Sequence, residues 1–123
     1  MGERVRGSSS DGAPEPELGL NLSVVGAYSV ISVSGEIDMY TAPKLREAVR
    51  QLTAEGRMHV AIDLTPTEFC DSTGLGVLIG ARRRLTDAGG DLVVVCTNPR
   101  ISKLLDLTGL DKVLDVREAV PDE

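Results

Sequence analysis

The chain has 123 residues, with 13 Lys and Arg against 19 Asp and Glu, so its formal net charge is −6. This length allows one hydrophobic core and leaves no room for a large two-domain enzyme. The acidic balance and an aromatic content of only 2% argue against binding of a nucleic-acid backbone and against base stacking. No apolar run approaches the roughly 18 residues of a transmembrane helix, and the N-terminus has no apolar signal core. We therefore expect no membrane partner and a cytoplasmic location.

Residues 1–17 have almost no side chains to bury and are dominated by Gly, Ser, Pro and Glu. Such a composition predicts a disordered N-terminal tail. The remaining residues, 18–123, have the usual size of a single domain. We therefore place the function in this second part of the chain.

The first two elements are predicted as a β-hairpin. From residue 18 to residue 24, leucines and a valine alternate with small or polar residues, which indicates a half-buried strand. A second apolar run covers residues 28–35. Gly26 and Ala27 separate the two runs, and a two-residue loop with Gly first suits a type II′ turn. The two strands are therefore predicted to pair antiparallel.

The rest of the chain alternates helical and strand patterns. Leu45, Ala48, Val49 and Leu52 form the apolar stripe of a first helix, which starts near Thr41 and Pro43 and ends at Gly56. The later elements follow in this order: a strand at 60–64, a helix at about 72–88, a strand at 92–96, a helix from Asn98-Pro99 to Gly109, and a short strand at 113–116.

The resulting order, β-β-α-β-α-β-α-β, predicts an α/β fold with a small mixed β-sheet and crossover helices. Only the first strand is predicted to be antiparallel. In such sheets, binding and reactive groups gather at the carboxyl ends of the strands. We therefore expect two loops, residues 36–40 and residues 65–73, to meet at that edge.

Cysteine and histidine usage gives no sign of a metal or a cofactor. Cys70 and Cys96 lie 26 positions apart, which is not a metal-knuckle spacing, and both are predicted to be reduced packing residues. His59 is the only histidine, at the start of a predicted strand. A Ser-His-Asp triad would need that residue, so no catalytic residue is assigned.

Residues 70–76, Cys-Asp-Ser-Thr-Gly-Leu-Gly, join a strand to a helix. Ser72 is predicted to cap that helix, and Gly74 and Gly76 allow another group to approach closely. The segment lacks the P-loop pattern and carries only part of a dinucleotide fingerprint. A nucleophilic Ser72 would need a base, and the G-x-S-x-G elbow is absent. A capped helix and a Ser72 that accepts phosphate from another protein's active site, where only an exposed hydroxyl is needed, both remain open.

The motif Asp71-Ser72-Thr73-Gly74-Leu75-Gly76 does not stand alone. It is preceded by Gly35-Glu36-Ile37-Asp38, with 33 positions between the two aspartates, and by Thr41-Ala42-Pro43. Together these motifs resemble the STAS-domain anti-sigma-factor antagonists of bacteria. The resemblance covers nearly all of residues 18–117, in element order and in motif spacing, and it implies a STAS-like fold.

The resemblance also implies a mechanism. In that family the serine that matches Ser72 is phosphorylated by the anti-sigma factor, which is an ATP-dependent serine kinase. The unphosphorylated antagonist binds the kinase and frees the sigma factor, and a metal-dependent serine phosphatase reverses the modification. The residues expected to bind the partner are Asp38, Asp71, Thr73, Gly74, Leu75 and Gly76.

Several alternatives stay open for these residues. Asp38 either orders the loop before the first helix or presents its carboxylate to the partner. Thr73 is an alternative phosphate acceptor, and Leu75 belongs either to the core or to an interface. The chain as a whole is alternatively a STAS interaction module of another stress-signalling assembly, or an enzyme with Ser72 as its nucleophile.

Overall fold

The computed structural model describes residues 18–122, so the predicted tail at residues 1–17 lies outside the described residues. The chain order of the elements is β1 (Leu18–Val25), β2 (Tyr28–Ile37), α1 (Ala42–Ala54), β3 (His59–Asp63), β4 (Thr67–Cys70), α2 (Ser72–Asp87), β5 (Asp91–Val95), α3 (Pro99–Thr108), a 3₁₀ turn (Leu110–Lys112) and β6 (Asp115–Arg117).

The strands form one mixed sheet in the order β1-β2-β3-β5-β6, with β4 pairing separately to β2. The β1–β2 pair is antiparallel and all other pairs are parallel, as predicted. Val25 faces Tyr28 across the hairpin, so the loop holds two residues. Gly26 has a φ of 57°, the left-handed conformation for which a hairpin loop favours glycine.

The strand β4 is absent from the predicted order, which treated residues 65–73 as one loop. The strand exists because β2, at ten residues, extends past the five-residue β3. Residues Ser29 to Ser32 of β2 pair with β3, and Gly35 to Ile37 pair with β4. The short β4 thereby satisfies backbone groups at the end of β2 that would otherwise lack partners.

All three helices contribute to one hydrophobic core on one face of the sheet. The largest fully buried side chains of this core are all aliphatic: Ile31, Ile37, Leu45, Ile62, Leu64, Leu78, Leu85, Ile101 and Leu105. The opposite face carries a second, smaller cluster with no helical residues: Val30, Ala61, Val93 and Val95, with Val25, Tyr28 and Val120 packed against it. The sheet is therefore buried on both faces at its centre, which is why β5 is apolar without alternation.

The predicted strand β1 is confirmed, but only two of its four predicted inward-facing side chains are covered by the core. Leu18 and Leu20 pack against the helical core, whereas Leu22 and Val24 are 59% and 62% exposed. β1 is the edge strand of the sheet, so its side chains have neighbours on one side only. The period-two pattern alone does not predict which end of the strand is buried.

A polar cluster joins three strands at their amino ends, opposite the carboxyl ends from which the predicted loops emerge. The Tyr28 hydroxyl donates a hydrogen bond to Asp91 Oδ2 at 2.5 Å, and His59 Nδ1 contacts the other carboxylate oxygen of Asp91. The Tyr28 and His59 rings meet edge to face, with centroids 5.9 Å apart. His59 is thus held in a structural cluster at the start of β3.

The cluster perturbs the titration of two of its members. The hydrogen bond to Asp91, followed by burial and the negative charge of that carboxylate, raises the pKa of Tyr28 to about 12. For Asp91, burial acts to raise the pKa, but hydrogen bonds from Tyr28 and His59 outweigh it and lower the pKa. The neutral phenol and the charged carboxylate therefore stabilise each other.

We expect Asp91→Asn to lower the pKa of Tyr28 toward its ordinary value of about 10, because the negatively charged acceptor is removed. Tyr28 and Tyr40 are the two tyrosines of the sequence, so a Tyr40→Phe background isolates Tyr28 in a near-ultraviolet absorbance titration. The hydrogen bond should make the free energy of unfolding larger for the protein with Tyr28 than for Tyr28→Phe. This difference should be full below about pH 10 and should decrease as the pH rises toward 12. An unchanged midpoint in Asp91→Asn would contradict this assignment.

Candidate functional site

The two predicted loops meet at the carboxyl edge of the sheet. Ile37, the last residue of β2, pairs with Cys70, the last residue of β4. The Asp71 amide continues this ladder by donating to the Ile37 carbonyl at 3.0 Å. Asp38 and Asp71 therefore follow directly from paired positions on neighbouring strands. The prediction that residues 36–40 and 65–73 come together is confirmed.

The carboxylate of Asp38 orders its own loop. Its Oδ1 accepts hydrogen bonds from the amides of Tyr40 and Thr41, at 2.9 and 3.0 Å. The buried Thr41 hydroxyl donates to the Glu36 carbonyl at 2.7 Å and accepts from the Asp38 amide at 2.9 Å. Of the two roles left open for Asp38, the loop-ordering role is thus observed. Asp38 stays partly exposed.

This ordered loop presents two large exposed side chains, Met39 and Tyr40, that the sequence motifs did not predict as site residues. Met39 is 63% exposed and Tyr40 is 75% exposed, directly after Asp38. Large exposed side chains of these types are enriched in protein interfaces. The sequence did contain a signal for them: two large hydrophobic residues in a loop are not needed to stabilise a strand or a helix, which favours a role at the surface.

The start of α2 corrects one prediction. Asp71, not Ser72, is the N-cap: its backbone is extended, and its Oδ1 accepts a hydrogen bond from the Gly74 amide at 3.1 Å. Ser72 is already the first helical residue. Both residue types cap helices well, and the ladder bond from Asp71 to Ile37 keeps Asp71 in the extended conformation that a cap requires.

This correction leaves the Ser72 hydroxyl available. Ser72 is exposed, and its hydroxyl makes no hydrogen bond to another residue in the part of the chain that the structure describes. It lies in the first turn of a 16-residue helix, where the helix dipole favours negative charge. The neighbouring Thr73 is only partly exposed, so Ser72 is the more accessible hydroxyl of the two.

The two glycines of the motif have different roles. A Cβ on Gly74 would lie 2.6 Å from Ile37 Cγ2 and 2.7 Å from Cys70 Sγ, so only glycine lets α2 pack onto β2 and β4. A Cβ on Gly76 would meet nothing within 4 Å. Gly76 is exposed and leaves a flat surface one helical turn after Ser72. The predicted close approach is therefore observed at Gly74, where the contacts lie inside the protein, whereas Gly76 faces open space.

The remaining motif residues are not all at the surface. Gly74 is buried, and Leu75 is 8% exposed and packs in the helical core, so the core role left open for Leu75 is observed. Gly74 has no side chain and lies against Ile37 and Cys70, and the Leu75 side chain is enclosed in the core. Asp38, Asp71, Ser72, Thr73 and Gly76 remain at least partly exposed.

Both cysteines are buried and free, as predicted. Burial, and to a smaller extent the charge of Asp71, raises the pKa of Cys70 to about 12. The thiol beneath the motif is thus held protonated at neutral pH. It fills space against Gly74 and offers no reactive thiolate to the site.

Neither His59 nor Asp71, the two bases considered for a nucleophilic Ser72, is arranged to take its proton. His59 lies beside the Ser29–Val60 pair, whereas Ser72 follows the Ile37–Cys70 pair. Ser29 and Ile37 are eight residue steps apart on β2, which corresponds to about 26 Å along the strand. Asp71 directs one carboxylate oxygen to a backbone amide of its own helix. Within residues 18–122, no group of three His, Cys, Asp or Glu residues is arranged to hold a metal ion.

A family model described as the STAS domain matches residues 20–123. The chain belongs to the STAS domain family. An anti-sigma-B factor antagonist of Listeria monocytogenes is 39% identical over 87 residues, which are 71% of this chain and 76% of that protein. The same name is carried by a Staphylococcus epidermidis protein that is 34% identical over 103 residues, covering 82% of this chain and 95% of its own length.

A solved structure supports the same assignment. An anti-sigma factor antagonist from Mycobacterium paratuberculosis superposes with a TM-score of 0.76 at 34% identity, covering 85% of this chain and 88% of that chain. The resemblance to the STAS-domain anti-sigma-factor antagonists and the STAS-like fold are therefore confirmed. Within residues 18–122, no helix combines the length and the apolar character needed to cross a bilayer.

The contrast between the two motif glycines gives a stability test. Gly74→Ala should destabilise the fold by about 1–3 kcal/mol, since the added methyl group is forced against the buried Ile37 and Cys70 side chains. Gly76→Ala should instead stabilise the fold by about 0.5–1 kcal/mol, because alanine favours the helix and its Cβ meets open space. Urea unfolding measures both, and equal effects of the two substitutions would contradict the packing described here.

Proposed function

We propose that this STAS domain is a cytoplasmic anti-sigma factor antagonist controlled by phosphorylation of Ser72. In the unphosphorylated state it binds an anti-sigma factor with serine kinase activity and thereby releases the sigma factor. The kinase transfers the γ-phosphoryl group of ATP to the Ser72 hydroxyl, and a serine phosphatase removes it. The names of the Listeria and Staphylococcus relatives support the antagonist role.

The observation that carries the proposal is the exposed Ser72 hydroxyl in the first turn of α2, released from capping by Asp71. A kinase supplies its own base and metal, so its substrate needs only an accessible hydroxyl in a fixed position. The site provides this position through the Asp71 cap and the packing of Gly74, and neither His59 nor Asp71 is arranged as a base for Ser72. The proposal therefore assigns no reaction to this chain.

The surface around Ser72 suits a protein partner. Met39 and Tyr40 lie on the adjoining loop, and Gly76 leaves the following helical turn open to close approach. Asp38 and Asp71 hold the two loops in one geometry, so little ordering is required on binding. In this proposal Thr73 contacts the partner beside Ser72, and the buried Gly74 and Leu75 act by shaping the helix.

A phosphate on Ser72 has opposite effects on the fold and on the interface. It adds about −1.5 to −2 charges, which a helix N-terminus stabilises by about 0.3–1 kcal/mol. Within an interface that already holds Asp38 and Asp71, an uncompensated charge costs about 2–5 kcal/mol. At about 1.4 kcal/mol per decade, binding weakens by about thirtyfold to several thousandfold. The interface effect is larger, so the phosphate expels the partner and leaves the fold intact.

We expect Ser72→Ala to bind the cognate anti-sigma factor kinase like the wild type and to resist phosphorylation. Ser72→Asp should bind at least about thirtyfold more weakly, because it places a negative charge at the centre of the interface. Ser23→Asp, at an exposed serine on β1, is the matched control and should bind normally. Isothermal titration calorimetry measures the affinities, and mass spectrometry after incubation with kinase and ATP locates the phosphate.

Two results would overturn the proposal. One is equal affinity of wild type, Ser72→Ala and Ser72→Asp for the kinase. The other is full phosphorylation of Ser72→Ala, with the phosphate found on Thr73 or elsewhere. A thermal melt of the phosphorylated wild type tests whether the fold stays intact, since gross unfolding would show that the phosphate acts on the fold instead of the interface.

A further inference from the structure

An apolar groove lies between β4 and α3, beside the Ser72 site but not part of it. Its volume is about 270 Å³. The buried Cys70 and Ile101 form its floor. Its walls include Phe69, which is 48% exposed, and Leu107, which is 73% exposed. These large apolar side chains are not used by the core, nor by the site around Ser72.

The groove exists because α3 carries two apolar stripes. Ile101 and Leu105 face the core and are almost fully buried. Leu104 and Leu107 lie on the adjacent arc of the helix, three residues apart, and line the groove. A helix that served only the core would need the first stripe alone.

The rim of the groove is basic although the chain is acidic. Arg100 and Lys103 line it and share the arc of α3 that carries Leu104 and Leu107. The Arg100 guanidinium donates from Nη1 to the Glu68 carbonyl at 3.3 Å, which holds it over β4. Among the salt bridges that join described residues, none includes Arg100 or Lys103. On a chain of net charge −6, this rim is a local positive patch that attracts an acidic partner.

We propose that the β4–α3 groove is a second docking surface, which binds an acidic amphipathic helix of a partner protein. The apolar face of that helix covers Phe69, Leu104 and Leu107, and its flanking carboxylates meet Arg100 and Lys103. At about 270 Å³ the groove is smaller than the roughly 300–1,000 Å³ of small-molecule pockets, whereas a helix laid in a groove needs only room for a few side chains. The proposal is independent of the role of Ser72.

The test uses two synthetic helical peptides with the same apolar residues at i, i+3, i+4 and i+7. One carries Glu at the flanking positions and the other carries Lys. Each is titrated into the full chain labelled with ¹⁵N, and amide shifts locate the bound peptide. We expect the acidic peptide to shift residues of β4 and α3 and to bind at least about tenfold more tightly than the basic one.

Three variants sharpen this test. Leu107→Glu and Lys103→Glu should each weaken the acidic peptide by about tenfold or more, and Lys103→Glu should improve binding of the basic peptide. Val24→Glu is the matched control: it also places a carboxylate on an exposed apolar residue, but on β1, and should change neither affinity. Leu107 and Val24 are both largely exposed, so loss of folding does not complicate the comparison.

The proposal is overturned if both peptides bind equally, if neither binds, or if the shifts lie outside β4 and α3. It is also overturned if sedimentation velocity shows a dimer of this chain that Leu107→Glu dissociates, because a second copy would then occupy the groove. The affinity of the chain for its kinase does not enter any of these outcomes, so the groove and the proposed Ser72 switch succeed or fail separately.

Discussion

The parallel pairing of β2 with β4 is the constraint on which the candidate site depends. By aligning Ile37 with Cys70, it makes the two strands end side by side, so Asp38 and Asp71 begin their loops from neighbouring positions. The side chains of Ile37 and Cys70 also form the surface against which α2 packs at Gly74. One short ladder therefore fixes the positions of the first loop, the helix cap and the helix. Because Ile37 is fully buried, this ladder is also anchored in the core.

Hydrogen bonding decides which polar groups of the site remain available. Asp38 and Asp71 each direct a carboxylate oxygen to backbone amides, so their negative charges are held at the edge of the sheet with little freedom. The Ser72 hydroxyl does not cap the helix, and within the described residues it makes no hydrogen bond to another residue. The side chains that build the site are thus distinct from the exposed Ser72 hydroxyl, which takes part in none of these bonds. A modification of Ser72 thus need not break any bond that holds the loops.

Local sequence signals were sufficient where a feature depends on local geometry. The Gly26 turn, the Asn98 cap and Pro99 at the start of α3, and Gly109 at its end all appear where the sequence placed them. The missed features depend on distant contacts. The four residues of β4 have no periodicity of their own and are a strand because β2 outruns β3. The choice of Asp71 over Ser72 as the cap likewise depends on a backbone bond to Ile37, which no local pattern reports.

The two edges of the sheet use their polar groups differently. At the amino edge, Tyr28, His59 and Asp91 satisfy one another and tie three strands together. At the carboxyl edge, polar groups order loops that expose Met39, Tyr40 and an available hydroxyl. A sheet can present such loops with fixed geometry only if its own strands do not shift, and the amino-edge cluster limits such shifts. The only histidine of the sequence belongs to the amino-end cluster, which begins about 26 Å along β2 from the end of that strand that carries the site.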